Sequence, residues 1–205
     1  MYYSRLFLLL EKGKMLYLIA NKIALWIFDE RNENIELYRY GLELFISSFF
    51  CSLVLLAFGL VTASIIECII FIVAFSALRI YTGGYHANSY SLCTLITVAI
   101  YALILFIYRR FTFVVQSNTV SILVFVFSLI MILLFSPVRN QHKRIDKKKY
   151  KAIKTKAVVV LVIEYINYLT LLNLLGFTPI ALIVPTLLSI DIMIIIPVLI
   201  NKGAN

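Results

Sequence analysis

Cysteine is scarce in this chain. Cys51, Cys68 and Cys93 form no Cys-x-x-Cys pair and no zinc-ligand spacing, so neither a disulfide framework nor a metal or other cofactor is indicated. Acidic residues are also few: ten Asp and Glu stand against nineteen Lys and Arg, a net charge of +9. Such an excess usually suggests nucleic acid, but the basic runs flank hydrophobic segments and no nucleic-acid reading module accompanies them. Orientation in a membrane and attraction to anionic lipid explain them better. A secretory signal is not expected, because the early apolar run Leu6 to Leu10 is cut off by Glu11 and Lys12. No internal repeat is evident, and low-complexity sequence is confined to one Lys-rich stretch.

What the chain has in abundance is apolar sequence. Hydrophobic residues make up 62% of it and the mean hydropathy is +0.98, far above the roughly 45–50% apolar usage of a soluble domain. A helix needs about 20 apolar residues to cross the hydrocarbon. Six stretches approach or reach that length: 42–60, 61–78, 93–108, 118–136, 157–175 and 178–200, with a weak break near 60–64. The expectation is an all-α integral membrane protein, a single polytopic domain over 1–205 with its transmembrane region at 42–200. Residues 1–38 repeat Leu9, Leu10, Leu16, Ile19, Ile23, Trp26 and Ile27 mostly at three- and four-residue steps. That pattern predicts amphipathic helices on the membrane surface or against the bundle. Pro137 is expected to end the fourth span, and Pro179, Pro185 and Pro197 to kink or interrupt the last.

Orientation follows from the loops. Residues 139–156 carry Arg139, Lys143, Arg144, Lys147, Lys148, Lys149, Lys151, Lys154 and Lys156 against only Asp146, which predicts a cytoplasmic loop. Counting spans outward places both termini and residues 79–92 on the cytoplasmic side of the cell membrane. Arg109 and Arg110 then fall outside, against the rule.

One segment reads neither as span nor as solvated loop: Arg79-Ile80-Tyr81-Thr82-Gly83-Gly84-Tyr85-His86-Ala87-Asn88-Ser89-Tyr90-Ser91-Leu92-Cys93. A cysteine nucleophile needs a base to form thiolate and to return a proton to the leaving amine, and imidazole does both near neutral pH. On a straight helix His86 and Cys93 would stand about 10 Å apart along the axis. The glycine pair permits a turn with positive φ that brings the imidazole back, and Asn88, Ser89 or Ser91 is suited to cap the helix carrying Cys93. Near that helix start the dipole favours thiolate and backbone N–H groups are at hand for an oxyanion. By spacing alone, a lone His near a lone Cys is more often packing and polar satisfaction than a catalytic dyad.

The run Gly83-Gly84-Tyr85-His86-Ala87, with Arg79 before it and Cys93 seven residues after the histidine, resembles the accessory gene regulator protein B (AgrB) family of membrane endopeptidases in Gram-positive quorum sensing. Chain length, the basic loop after the fourth span and Ser136-Pro137 are similar as well. The resemblance implies a cysteine endopeptidase with Cys93 as nucleophile and His86 as base, cutting a short amphipathic AgrD-like precursor peptide on the cytoplasmic side. Attack on the thioester by a side chain of the bound precursor would then give a cyclic thiolactone or lactone. It also implies a homodimer, and it offers an acidic precursor tail as a second ligand for the Lys-rich loop beside anionic lipid.

Other residues leave alternatives open. Glu43, Glu67, Glu164 and Asp191 lie at or within spans, where a carboxylate suggests function; each is a candidate to orient His86, bind substrate or pair structurally. Arg79 suits a substrate carboxylate, one of these acids, or simple positive-inside bias, and Gly84 suits the turn more than a direct contact. Cys51 and Cys68 read as small apolar core residues, and His142 as solvated. The rival class is a small transporter or peptide exporter, and a scaffold without chemistry is a third.

Overall fold

The computed structural model describes residues 14–27, 35–84, 89–138 and 147–202. Among them there is no strand. The helices are α1 (Lys14–Ile27), α2 (Ile35–Val61), α3 (Ile65–Thr82), α4 (Tyr90–Arg110), the single turn α5 (Thr112–Val115), α6 (Asn118–Phe135), α7 (Lys147–Leu169) and α8 (Ile183–Lys202). A π-helical turn, Thr170–Leu174, prolongs α7, and a 3₁₀ turn, Thr178–Leu182, leads into α8. Among the described residues six helical stretches are long and apolar enough to cross a membrane: Ile35–Val61, Ile65–Thr82, Tyr90–Arg110, Asn118–Phe135, Lys149–Leu174 and Thr178–Leu199. The chain is an all-α, multi-pass membrane protein.

Two boundaries differ most from the hydropathy reading. The first span begins at Ile35 rather than 42, because a helix tolerates Glu36, Arg39 and Glu43 where they pair with one another. Arg39 Nη2 lies 3.6 Å from Glu36 and its Nε 3.9 Å from Glu43. The helix of the fifth span, α7, begins at Lys147 rather than 157, since lysine is a good helix former whose charge is carried to water on a long stem. The second half of the expected Lys-rich loop is therefore helix, and residues 139–146, with His142, lie outside the described residues.

The chain divides into two compact units, residues 1–58 with 87–98, and 59–86 with 99–205. In the first, α1 turns Ala20 and Ala24 inward at 0% exposure while Leu18, Ile19, Leu25, Trp26 and Ile27 stay exposed. Ile19, Trp26 and Ile27 of the expected apolar stripe thus face outward, and the packed side is made of alanine. Small residues let backbones approach closely where lipid removes the hydrophobic drive between helices. Arg39 of α2 joins the two helices by donating to the Tyr17 hydroxyl at 3.1 Å and lying 4.5 Å over its ring.

In the second unit the last span is the central element: 56% of it is buried, against 11–33% for the other five. Its core faces include Leu187, Ile190 and Ile194, with Phe71 and Leu78 from α3 and Leu161 from α7. Small hydroxyls serve between the helices, as at Ser128, which donates to Asp191 at 2.6 Å. The weak break near 60–64 is a Schellman end to α2: Ser64 N–H bonds Gly59 O at 2.8 Å, Ala63 N–H bonds Leu60 O at 3.2 Å, and Ala63 holds φ 49°. Arg109 donates to the Thr62 and Ala63 carbonyls at 2.9 and 3.4 Å. Arg109, one of two adjacent arginines at the end of α4, is therefore used to close this turn.

Candidate functional site

Cys93 belongs to the first unit. Ser89 caps its helix, accepting from Leu92 N–H at 3.2 Å, so Cys93 is the fourth helical residue and its own N–H already bonds Ser89 O at 3.0 Å. The N–H groups of Tyr90 and Ser91, in the first turn, are those without an intrahelical acceptor. The Cys93 sulfhydryl is half-buried and free. Tyr90, one turn earlier, donates to Glu43 Oε2 at 2.8 Å, which with Arg39 forms a Tyr17–Arg39–Glu43–Tyr90 chain across α1, α2 and the start of α4. Glu43 thus has a structural employment. Cys51 faces the Thr94 and Thr97 hydroxyls on the Cys93 side of α4.

His86 lies outside the described residues. The segment leading to it belongs to the second unit and is held from several sides. Gly83 N–H bonds Arg79 O at 3.0 Å and Val138 N–H bonds Thr82 O at 3.0 Å. Gly83 and Gly84 both take positive φ, 69° and 129°, as the paired glycines predict. A Cβ on Gly84 would stand 2.9 Å from Met193 O, so only glycine lets the turn approach α8 so closely. Arg79 Nη1 donates to Met193 Sδ at 2.6 Å and its guanidinium lies 5.4 Å from the Phe75 ring centroid. Arg79 and Gly84, separate candidates in the sequence, therefore meet at one residue. Sequence reasoning missed Met193, Val138 and Tyr90; for Met193 the available signal was the proline four residues later.

The remaining carboxylates separate. Asp191 is bonded to Ser128, whereas both Glu164 oxygens are buried without a hydrogen-bond partner among the described residues. Cys68 is 0% exposed and packs so tightly on Gly59 that a Cβ there would lie 2.8 Å from its own Cβ, which fits a core residue. Among the described residues no group of His, Cys, Asp and Glu could hold a metal ion.

Comparison with known proteins gives a consistent result. The family model for accessory gene regulator B matches residues 17–199. A Clostridium perfringens (strain 13 / Type A) protein named "Putative AgrB-like protein 2" is 30% identical over 162 residues, covering 76% of this chain and 75% of that protein. A similarly named protein of C. perfringens (strain SM101 / Type A) is 28% identical over the same length, and one of Listeria welshimeri is 27% identical over 135 residues, 65% of this chain and 64% of that protein. No solved structure matches. With the family model matching from α1 through α8, the chain belongs to the accessory gene regulator B family, with a role in that quorum-sensing system and a link to its precursor peptide.

Proposed function

We propose that this protein is a membrane cysteine endopeptidase that cleaves a short amphipathic precursor peptide on the cytoplasmic side, with Cys93 as nucleophile and His86 as base. His86 takes the thiol proton, the thiolate attacks the scissile carbonyl, and the imidazolium returns that proton to the departing amine, leaving an N-terminal fragment as a thioester on Cys93. A thiol or hydroxyl within the bound precursor then attacks the thioester and frees Cys93, closing a thiolactone or lactone. That attack is effectively intramolecular, which favours it over water. The observation that carries the reading is the Gly83-Gly84-x-His86 run with Cys93 seven residues on, in a chain of this family. The positive φ at both glycines and the Ser89 cap support it.

The test is co-expression with candidate short amphipathic AgrD-like peptides, followed by mass spectrometry of the fragments. Cys93→Ala, His86→Ala and the double variant should fall to one similar floor, because both residues serve the same step. A hydroxylamine-sensitive adduct of the N-terminal fragment on Cys93 is the direct signature. Cleavage by purified, reconstituted Cys93→Ala would refute the mechanism and favour the transporter reading.

A further inference from the structure

An α-helix supplies each carbonyl with the N–H four residues later. For Met193 that residue is Pro197, which has no N–H and whose ring presses on the carbonyl it should have bonded. The Met193 carbonyl therefore lacks its i+4 helical donor. It is this carbonyl that a Cβ on Gly84 would strike, at 2.9 Å. The Met193 side chain, 5% exposed, holds the other end of the same turn by accepting from Arg79 Nη1 at 2.6 Å. Three otherwise separate features, a proline inside a spanning helix, a glycine at φ 129° and a buried methionine, meet in one contact.

We propose that Met193, with its carbonyl released by Pro197, is the positioning residue for the Gly83–Gly84 turn and so for the catalytic base that follows. The inference rests on the peptidase reading and adds α8 to its working parts. Gly84 precedes His86 by two residues, a reach of about 7 Å at most, so displacing the turn displaces the segment that carries the imidazole. Val138, bonded to Thr82 O at 3.0 Å, holds the turn's other flank and leaves Met193 to set its height against α8. Neither Met193 nor Pro197 needs to touch the precursor.

The experiment reads the base directly and needs no precursor. Full-length protein carrying Cys51→Ala and Cys68→Ala is reconstituted in liposomes, and the rate of Cys93 alkylation by iodoacetamide is followed between about pH 6 and 9, the range in which a thiol's environment decides its thiolate fraction. His86→Ala in this background should slow alkylation near neutral pH by roughly tenfold, the gap between a lowered and an ordinary thiol pKa. Pro197→Ala restores the N–H and lets the helix recapture the Met193 carbonyl; it should move the profile most of the way to that of His86→Ala. Gly84→Ala attacks the same contact from the turn and keeps the test open if Pro197→Ala inserts poorly. The two together should shift the profile no further than the worse of them alone. Pro185→Ala, which acts at the other end of α8, should leave the profile in place. If His86→Ala moves the profile while Pro197→Ala and Gly84→Ala do not, the dyad stands and this inference is wrong. If His86→Ala and the parent share one profile, the dyad is wrong and the inference falls with it.

Discussion

The helix that carries Cys93 is tied down by the hydrogen bond from Tyr90 to Glu43, and Tyr90→Phe removes that bond and little else. Glu43 Oε2 accepts from the phenol at 2.8 Å, while Oε1 keeps Arg39 Nε at 3.9 Å, so the substitution strips one oxygen of its partner and leaves the other in place. A hydrogen bond to a charged group contributes about 1.5–3 kcal/mol in water-soluble proteins; interhelical bonds in membranes average about 0.6 and reach about 1.7. The bond joins α2 to the first turn of α4 at a part-buried position, where both ranges overlap near 1.5 kcal/mol. The expected loss is therefore about 1.5 kcal/mol, roughly tenfold in the unfolding equilibrium. The assay is a double-mutant cycle with Glu43→Gln, read by SDS-induced unfolding in mixed micelles, with Cys93 alkylation in parallel. Coupling indistinguishable from zero would refute the account of how the start of α4 is held.

Three further outcomes are expected. Cysteines placed at positions 86 and 145 in a background lacking the native cysteines should be labelled from the cytoplasmic face; labelling only from outside would overturn the orientation. Ala63→Gly should raise stability by about 0.5–1 kcal/mol in a thermal melt, because Ala63 sits at φ 49°, where an L side chain is strained; a fall in stability would mean the turn is not the Schellman end described above. Cys51→Ala and Cys68→Ala should leave precursor processing near normal, and loss of cleavage by either, in correctly inserted protein, would point to a different nucleophile.

Much of the fold was legible because the bilayer imposes one simple demand. A crossing helix needs about 20 apolar residues and satisfies its own backbone, so six long apolar runs read directly as six helices, with errors only where charge meets the span. At the start of α2 the pairing of Arg39 with Glu36 and Glu43 lets the helix continue through charge, and at Lys147 a lysine run proved helical. The glycine pair was legible too, since positive φ in a turn is what two glycines are for. The apolar stripe of α1 left two placements open, membrane surface or bundle, because at helical spacing large apolar residues face lipid as well as they face protein.

What the sequence by itself determined is local: the number of spans, the basic run, the capped cysteine and the turn before His86. Each follows from composition or from spacing within a few residues. Only the tertiary structure decided which distant residues meet: Arg79 with Met193, 114 residues apart, Gly84 with the carbonyl that Pro197 releases, and Arg109 with the turn after α2. Hydropathy cannot foresee these pairings, because lipid tails are as apolar as the side chains that choose between lipid and helix. Helix faces are matched instead by close packing at small residues and by single polar contacts, and these exist only once the helices are side by side.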